Sequence, residues 1–488
     1  MDPQKLQVIT EWSGGKLSNG NPSGMVSGIS TDSRSVQAGE LFLALTGERF
    51  DGHGFVEAAL ERGASGAVVN SPIRDFTDRW PDRRLIVVQD TLAALAKIAR
   101  GYRELFEIEA VAVTGSNGKT TTKDLIGQLL NAEMEILVAP ASYNNLIGLS
   151  LTILLLERRH RAAVFELGMN HQGEILELAD ICRPRMAVIT NIGPAHIGNL
   201  GSIEAIAAAK SEILEKLEGE KIIFFNADDY RVREIVRSPP GPVVGFGFGP
   251  EAEVRASNPS YGGDGVSFDL QLAGKKMRIS SPLPGRHNVY NLLAALAVGE
   301  YLGISSDRMA ESVRSAVLPS ERMEMDMVGG VELINDAYNA NPASMREALS
   351  AWQRLGARGR RIMVSGDMNE LGVFSVKEHQ EWGKILGKSK LYFLVFVGSR
   401  SKESYRAAVE EGFSRRRIFS VEDSTAAAEL LLSLIAPGDS VLIKGSNDMK
   451  MGEIVTILRE SDIPNSENLS HKTDYIKTTK DTKITKEL

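Results

Sequence analysis

The sequence predicts an α/β protein of three domains. In this prediction a central, mostly parallel sheet with a P-loop-type phosphate-binding turn is flanked by a small N-terminal α/β domain and a C-terminal Rossmann-like α/β domain. Three observations predict it: the 488 residues suit about three domains, apolar strands alternate with helices, and one strand–turn–helix junction carries glycines beside Lys-Thr. We place the domains at 1–105, 106–320 and 321–460, followed by a disordered tail at 461–488.

Short apolar runs and helical spacing alternate in the N-terminal domain. Strands are predicted at 41–45, 67–69 and 85–88. A helix is predicted over 56–62, where Gly63 ends it, and Asp90 is expected to cap a helix over 92–105.

The central domain contains near-continuous apolar strands, which are typical of a parallel sheet covered on both faces. Strands are predicted at 108–113, 162–167, 186–190 and 222–225, and helices at 119–131, 174–179, 203–217 and 289–301. Between about 245 and 281 the pattern changes to short alternating runs, which indicates an antiparallel patch appended to the sheet.

A third α/β series fills the C-terminal domain. Strands are predicted at 331–334, 362–364, 391–397 and 441–443, and helices at 344–355, 377–386 and 426–434. Beyond about 461 the chain is rich in Ser, Thr, Lys and Asn and has little apolar periodicity, so we predict disorder there.

Composition excludes several classes of protein. A net charge of −7 gives no reason to expect nucleic acid or an anionic membrane as a partner. Cys182 is the only cysteine, so an intrachain disulfide is impossible and a reducing cytoplasm is expected. The first residues lack the pattern of a signal peptide, and the longest apolar run, near 149–156, is too short to span a bilayer. We therefore expect a cytoplasmic protein without membrane insertion.

The most informative segment joins the strand at 108–113 to the helix at 119–131. It supplies Gly115, Ser116, Asn117, Gly118, Lys119, Thr120 and Thr121. Glycines let backbone N–H groups approach phosphate oxygens, Lys119 can reach the β- and γ-phosphates, and a Thr hydroxyl can hold Mg²⁺. Val113 stands where the usual motif has its first glycine, so a purely structural turn is the alternative.

Two other strand ends of the same sheet carry polar residues, and ligands bind beyond such ends. Glu166 closes an apolar strand, where an unpaired carboxylate is costly unless a cation lies near it. His196 follows the next strand, and its place beside the predicted nucleotide site favours a ligand over a packing residue. Lys210 lies on the predicted helix at 203–217, where its pattern alone indicates an exposed surface charge.

Amide and carboxylate side chains mark the remaining candidate positions. Asn288 and Asn291 share one face at a helix start, where capping explains one of them and contact with an adenine edge would use both. Asp336 follows a strand and could bind a ribose hydroxyl. A purely structural turn followed by a helix cap would explain Asn341, which fits the start of the next helix. The same interpretation leaves Tyr338 without a role.

Together these residues resemble the Mur ligases of bacterial cell-wall synthesis. The positions that recur in that family have counterparts in Lys119, Glu166, His196, Asn288, Asn291, Arg322 and Asp336. The resemblance covers almost everything up to about 460. It is strongest to the branch that joins D-alanyl-D-alanine to UDP-N-acetylmuramoyl-tripeptide, through segments 143–148, 166–170, 191–196, 336–342 and 366–372.

The resemblance implies ATP and Mg²⁺ as cofactors, an acyl-phosphate intermediate and a monomer. It implies catalytic roles for Lys119, His196, Lys210 and Arg322. It implies magnesium ligands at Thr120, Glu166, His196 and Lys210, the last as a carbamate. Asn288 and Asn291 would contact adenine, and Asp336 the ribose. Substrate binding is implied for Ser33, Arg34, Thr46, Asp51, His53, Asn144, Asn145, Tyr338 and Asn341.

Several alternatives stay open at this point. A Mur-type ligase for another amino substrate and a non-catalytic nucleotide-binding homologue are the rival functions. The third residue of the tripeptide is either lysine or diaminopimelate. Asn447 and Asp448 stand where the family pattern has an arginine, which leaves the contacts to the amino substrate undetermined.

Overall fold

The computed structural model describes residues 1–47, 50–356, 359–461 and 463. These residues form three sheets of five, nine and six strands, each packed with helices, together with one two-stranded ladder. The predicted α/β class is therefore confirmed. Nearly all of the tail predicted to be disordered lies outside the described residues.

The N-terminal domain is built on the five-stranded sheet. The strands of this sheet are β2 (Lys16–Asn19), β4 (Gly28–Ser30), β5 (Glu40–Leu43), β6 (Gly66–Val69) and β7 (Arg84–Val87). The two remaining strands of the domain, β1 (Gln4–Lys5) and β3 (Met25–Val26), form the separate two-stranded ladder. The helices of the domain are α1 (Leu6–Ser13), α2 (Val56–Arg62), α3 (Phe76–Arg79) and α4 (Thr91–Arg103). The sheet order is β2-β7-β6-β5-β4, in which β2 alone is antiparallel to its neighbour. As predicted, Asp90 caps α4 by accepting from the Leu92 and Ala93 N–H groups.

The central domain carries the nine-stranded sheet. Its strands are β8 (Glu109–Thr114), β9 (Ile136–Val138), β10 (Ala162–Glu166), β11 (Met186–Ile189), β12 (Ile222–Asn226), β13 (Val243–Gly247), β14 (Val254–Gly262), β15 (Gly265–Leu272) and β16 (Lys275–Ser281). Its helices are α5 (Lys119–Asn131), α6 (Leu146–Ile153), α7 (Glu174–Cys182), α8 (Ile197–Leu200), α9 (Ile203–Ser211), α10 (Tyr230–Ile235), α11 (Arg286–Tyr301) and α12 (Ser306–Arg314).

The order of the central sheet is β16-β15-β14-β13-β12-β11-β8-β10-β9. Strands β8 to β14 run parallel, whereas β14, β15 and β16 form an antiparallel ladder. The predicted antiparallel patch is thus confirmed. Alternate residues of β8 enter different cores, since Ala110 and Ala112 face one side and Val111 and Val113 the other.

One helix is shorter than predicted. The periodicity over 203–217 predicts a single α-helix, but α9 ends at Ser211 and the chain continues as a 3₁₀-helix over Glu212–Lys216. The change coincides with Glu212, whose buried carboxylate accepts from the Gly173 and Leu176 N–H groups at the start of α7. That tertiary contact is invisible to helical periodicity.

The C-terminal domain contains the six-stranded sheet. Its strands are β17 (Glu324–Val328), β18 (Val331–Asn335), β19 (Arg361–Gly366), β20 (Phe393–Val397), β21 (Ile418–Val421) and β22 (Ser440–Lys444). Its helices are α13 (Pro342–Arg354), α14 (Ser375–Gly387), α15 (Ser401–Glu410), α16 (Ser424–Leu434) and α17 (Gly452–Glu460). The order is β17-β18-β22-β19-β20-β21, with only β17 antiparallel.

Helix α4 fastens the N-terminal domain to the central domain by packing on α6 and α7. Tyr102 donates its hydroxyl to the Leu156 carbonyl at 2.7 Å, and Arg103 Nε donates to the Cys182 carbonyl at 2.9 Å. These buried contacts satisfy polar groups that the interface would otherwise leave without partners. Among the described residues no helix is both long enough and apolar enough to cross a membrane.

Candidate active site between the central and C-terminal domains

A cleft of about 660 Å³ lies beyond the carboxyl ends of the central strands and is lined by both the central and the C-terminal domain. Most of the residues predicted from the sequence line it: Ser116, Asn117, Gly118, Lys119, Thr120, Thr121, Asn144, Glu166, His196, Asn288, Asn291, Arg322, Asp336, Tyr338 and Asn341. The rest of the predicted set does not line this cleft, namely Ser33, Arg34, Thr46, Asp51, His53, Gly115, Asn145 and Lys210.

The phosphate loop has the glycines that its backbone requires. Gly115 and Gly118 have φ angles of +151° and +80°, and Gly118 directly precedes α5. A Cβ on Gly118 would lie 2.5 Å from Asn291 Oδ1, so that position also has no room for a side chain. The loop is held to the chain after β11, because Thr190 Oγ1 donates to the Asn117 carbonyl at 2.6 Å. The loop is therefore a rigid, preformed cradle.

Lys119 and Thr120 open α5 at the floor of the cleft. Lys119 Nζ donates to the Gly115 carbonyl at 3.0 Å. Burial lowers the pKa of Lys119, and the nearby Glu166 carboxylate opposes that shift. Thr120 Oγ1 accepts from Arg322 Nη2 at 2.8 Å and lies 3.2 Å from Ser142 Oγ. The C-terminal domain thus contributes a guanidinium directly to the phosphate loop.

Glu166 is a buried carboxylate with one free oxygen. Its side chain is 1% exposed. Asn144 Nδ2 donates to Oε1 at 2.7 Å, whereas Oε2 has no hydrogen-bond partner. An unpartnered buried carboxylate oxygen is costly unless a cation or donor joins it when ligands bind.

Lys210 is buried, which corrects its interpretation as an exposed surface charge. It is 1% exposed, on the last turn of α9. Burial lowers the pKa of Lys210 well below its ordinary value; the Lys119 ammonium lowers it further, whereas Glu166 raises it. Lys210 therefore lies on the packed face of α9, together with Ile206 and Ala209, and this packing keeps its amine out of water.

The cleft fits a magnesium ion that is shared with a ligand. No three His, Cys, Asp or Glu side chains of the described chain come together as a metal cage. Magnesium usually takes one or two protein oxygens together with waters and phosphate oxygens. The Thr120 hydroxyl and the free oxygen of Glu166 match that requirement.

Asn288 and Asn291 are occupied by contacts within the protein. Asn288 Nδ2 donates to the Pro284 carbonyl at 2.7 Å, and Asn291 Nδ2 donates to Asn288 Oδ1 at 3.0 Å. Thr122 Oγ1 donates to Asn291 Oδ1 at 3.2 Å. The pair therefore fastens α11 to α5 beside the phosphate loop. Neither residue is the cap of α11, which begins after Gly285.

Asp336 forms an ion pair with Lys444. The distance from Lys444 Nζ to Asp336 Oδ2 is 2.7 Å, and Asp336 Oδ1 accepts from the Met323 N–H at 3.1 Å. Lys444 ends β22, the strand next to β18, which precedes Asp336. The register of the parallel sheet places the two side chains together at its carboxyl edge.

Tyr338 and Asn341 hold the C-terminal domain against the phosphate loop. The Arg322 guanidinium stacks 4.0 Å from the centre of the Tyr338 ring. Asn341 caps α13 by accepting from the Ser344 N–H at 2.9 Å, as its position indicates. Its Nδ2 also donates to Asn117 Oδ1 at 2.7 Å across the cleft. Asn447, at the atypical position, donates to the Tyr338 carbonyl at 3.1 Å.

The remaining predicted substrate residues lie in other places. Asp51 Oδ1 accepts from the His53 N–H at 3.0 Å and lies 2.6 Å from His53 Nδ1. His53 Nε2 accepts from the Asn70 N–H, so Nδ1 carries the proton. Arg34 is paired with Asp32 at 2.8 Å, near Ser33, and Thr46 pairs with Asp51 in an isolated bridge. Asn145 caps α6.

Several residues of the site escaped the sequence analysis. Lys123, one turn after Lys119, is fully buried and donates to the Ala139 and Ala141 carbonyls at 2.6 and 2.5 Å. Asp228, just beyond β12, accepts from the Tyr290 hydroxyl at 2.8 Å and from two backbone N–H groups. Its place at a strand end was a usable signal, whereas nothing local distinguishes Lys123 from a surface lysine.

Comparison with known proteins identifies the family. Residues 25–103, 113–299 and 321–447 match the models described as Mur ligase family, catalytic domain; Mur ligase middle domain; and Mur ligase, glutamate ligase domain. The chain belongs to the Mur ligase family.

Its curated relatives belong to one branch. The UDP-N-acetylmuramoyl-tripeptide--D-alanyl-D-alanine ligase of Bacillus subtilis is 33% identical, over 94% of this chain and 99% of the relative. The Escherichia coli enzyme of that name is 32% identical, over 93% and 98%. The crystal structure of MurF from Acinetobacter baumannii superposes with a TM-score of 0.84 at 32% identity, covering 94% and 99%. MurF ligase from Thermotoga maritima, in complex with ADP, gives 0.77 at 25% identity, covering 89% and 97%.

Proposed function

We propose that the chain is an ATP-dependent ligase of peptidoglycan precursor synthesis that joins D-alanyl-D-alanine to UDP-N-acetylmuramoyl-tripeptide. Its similarity to ligases of that name spans nearly the full length of both chains. The observation that carries the proposal is the convergence of Lys119, Glu166 and Arg322, from two domains, on one cleft. A nucleotide-binding module without chemistry has no need for a buried carboxylate with a free oxygen at that place.

The proposed reaction has two steps. In the first, a terminal carboxylate oxygen of the tripeptide attacks the γ-phosphorus of ATP, and ADP leaves. In the second, the amine of D-alanyl-D-alanine attacks the carbonyl carbon of the acyl phosphate. Inorganic phosphate leaves and the amine gives up a proton, so that an amide bond remains.

The first step brings two anions together, so it depends on positive charge held in place before the reaction. Lys119 lies at the end of the phosphate loop, and Arg322 reaches the same loop from the C-terminal domain. Both cations are positioned by neighbours, Lys119 by the Gly115 carbonyl and Arg322 by the Tyr338 ring. They therefore need little reorganisation when charge moves to the transferring phosphoryl group.

Thr120 and Glu166 are the residues that would hold Mg²⁺ with the nucleotide phosphates, and His196 is proposed to help hold a second ion near the acyl phosphate. When bound, such an ion supplies positive charge to the phosphate oxygens. The Thr120 hydroxyl oxygen has two lone pairs, so it can bind the ion while it accepts from Arg322.

Lys210 is proposed to carry a carbamate. Its burial and the neighbouring Lys119 lower the pKa of its amine, which favours the neutral form, and a neutral amine is the form that adds to carbon dioxide. The product is an anion beside the Lys119 ammonium, and the two opposite charges attract each other. As a carbamate, Lys210 joins the proposed magnesium ligands.

The roles that the resemblance implies for the other residues stay predictions. We propose that Ser33, Arg34, Thr46, Asp51 and His53 bind the uridine diphosphate group on the N-terminal domain, and that Asn144 and Asn145 contact the tripeptide. To contact adenine, Asn288 and Asn291 must exchange their internal hydrogen bonds for bonds to the base. To contact the ribose, the Asp336 carboxylate must accept from a ribose hydroxyl while it stays paired with Lys444. We also propose that the protein is a monomer of the cytoplasm, and that the third residue of the tripeptide is either lysine or diaminopimelate.

Phosphate release from Mg-ATP tests the proposal. UDP-N-acetylmuramoyl-tripeptide is supplied with D-alanyl-D-alanine, with single amino acids or with no amine, and the product is identified by mass. We expect release that depends on the dipeptide and a UDP-linked pentapeptide. Release with a single amino acid and a shorter UDP-peptide would assign the chain to another branch of the family. Absence of release under every condition would favour the non-catalytic alternative.

A further inference from the structure

Two short loops from different domains meet beside the candidate site. The first, residues 196–198, follows β11 in the central domain, and the second, residues 370–372, follows β19 in the C-terminal domain. His196 Nδ1 lies 2.7 Å from Glu370 Oε2, although the ring is not aligned for a regular hydrogen bond. The Gly198 N–H donates to the Glu370 carbonyl at 2.9 Å. A side chain and a backbone group of Glu370 therefore contact the central domain together.

The two loops share an unusual backbone conformation. His196 and Glu370 have φ angles of 61° and 62°, in the left-handed region that residues with a side chain rarely adopt. Such conformations persist only where surrounding contacts hold them, and they concentrate at functional sites. Here the contact that each loop makes with the other supplies part of that support.

Glycines make the approach of the two backbones possible. A Cβ on Gly198 would lie 2.7 Å from the Glu370 carbonyl oxygen and would collide with the Gly372 N–H. A Cβ on Gly372 would lie 2.8 Å from Gly198 Cα. No flexible side chain is involved, so neither position can accept even a methyl group unless the domains move apart.

We propose that residues 370–372 are a positioning element for His196, and that the contact of Gly198 with Gly372 is the docking point that sets how closely the C-terminal domain approaches the central domain. The inference rests on the proposed function, in which His196 belongs to the reaction site. Glu370 acts through His196 and through the relative placement of the domains. The contact of Gly198 with Gly372 also fixes the distance between the two domains at which Arg322 and Asn341 reach the phosphate loop.

Gly198→Ala is the central test because it separates docking from folding. Gly198 lies within α8 and has no positive φ, so alanine favours the local helix. Asn199→Ala is the matched control, since Asn199 is the next, exposed residue of the same helix. We expect Gly198→Ala to lower kcat at least about tenfold while the KM for the UDP-linked substrate stays within about twofold, because small misplacements of reacting groups are costly. Asn199→Ala should match the wild type.

Solution scattering supplies a readout besides activity. With ADP and the UDP-linked substrate, Gly198→Ala should keep larger dimensions than the wild type, whereas the melting temperature and the affinity of the UDP-linked substrate should be unchanged. A variant as compact and as active as the wild type would overturn the proposal. A large fall in melting temperature together with lost activity would also overturn it, since the glycine would then serve the fold of the central domain.

A second pair of variants tests the positioning of His196 itself. Glu370→Gln keeps the length of the side chain and the backbone contact, so it should retain more of kcat than Glu370→Ala. Equal rates in the two variants and the wild type would show that the carboxylate has no role. Inactivity of the wild-type chain towards every amine would instead contradict the proposed ligase function. A failure of the proposed function can therefore be told apart from a failure of the positioning proposal.

Discussion

Arg322 of the C-terminal domain donates to the Thr120 hydroxyl of the central domain at 2.8 Å, although the two residues are 202 positions apart in the sequence. The guanidinium carbon also lies over the Tyr338 ring, 4.0 Å from its centre, so the ring helps to position the group before any ligand binds. The phosphate site is therefore complete only when the C-terminal domain lies against the central domain. This relationship predicts that the proposed phosphoryl transfer requires both domains.

Arg322→Lys is expected to lower kcat/KM for ATP by about 10- to 100-fold. A lysine keeps the charge but loses the planar group that both stacks on Tyr338 and donates to Thr120, and these two tasks need a guanidinium. Steady-state kinetics with the dipeptide and the UDP-linked tripeptide measure the effect. Arg314→Lys, at an exposed position at the end of α12, serves as the control. Equal effects of the two changes would argue against a specific role for Arg322.

Lys119→Ala is expected to abolish dipeptide-dependent phosphate release while the fold stays intact. The side chain is partly buried, and this burial lowers the pKa of Lys119, so the charged form is held there at a cost and its removal should not lower the melting temperature. Phosphate release and thermal unfolding are measured on one preparation, with Lys275→Ala, on an exposed strand, as the control. Turnover near that of the wild type would exclude the phosphate loop from the mechanism.

Local chemistry was enough to predict much of the fold. The helix predicted over 119–131 coincides with α5. Both signals for it, the glycine at 118 and the apolar residues at helical spacing, lie within or next to the helix itself. Asp90 and Asn341 were recognisable as caps for the same reason. In contrast, β17 and β21 are short, half-buried strands whose pairing partners decide their structure, so their sequences alone did not reveal them.

The site was predicted less completely because its residues depend on distant neighbours. Sequence pattern placed Glu166 and His196 at strand ends, and the structure brings both to the cleft. It assigned Asn288 and Asn291 to adenine, but no local signal shows that their amides already bond to Pro284 and to each other. Lys210 has the sequence surroundings of a surface lysine, and only tertiary packing shows that it is buried.

Lys123→Met is expected to destabilise the protein by about 2–4 kcal/mol, since it leaves the buried Ala139 carbonyl without its donor and the Asp124 carboxylate without its cation. Methionine fills the space of the lysine stem, but the Ala139 and Ala141 carbonyls lose the ammonium that bridges them. The segment that follows carries Ser142 and Asn144 to Thr120 and Glu166, so activity should fall as well.

Denaturant and thermal unfolding measure the effect of Lys123→Met, with attention to the transition of the central domain because a three-domain chain need not unfold in one step. Lys97→Met, at an exposed position on α4, is the control. Unchanged stability in Lys123→Met would mean that water or another donor replaces the ammonium.

Carbamate formation on Lys210 is expected to give a ¹³C carbonyl signal in protein equilibrated with ¹³C-bicarbonate. Burial lowers the pKa of Lys210 and so favours the neutral amine that the reaction requires, whereas exposed lysines stay protonated near neutral pH. Lys210→Arg should lack the signal, since a guanidinium does not form this adduct, and its ligase activity should be lost. A signal of equal intensity in the variant would assign the carbamate to another lysine.

Cys182 is expected to resist thiol reagents until the chain unfolds. Burial raises the pKa of its thiol from the ordinary value of 9.0 to about 12, so the reactive thiolate is scarce near pH 8. Because the pKa is raised in the folded state, the stability gained by keeping this proton is fully present below pH 9.0 and is lost as the pH rises towards about 12.

Cys182→Ala should therefore lose less stability than the wild type between pH 9.0 and about 12. Titration with a chromogenic disulfide should count no thiol in the native protein and one in concentrated guanidinium, as Cys182 is the only cysteine. Because Arg103 of α4 donates to the Cys182 carbonyl, slow labelling of the native protein would measure how often the N-terminal domain separates from α7. Immediate labelling of the native protein would contradict the buried placement.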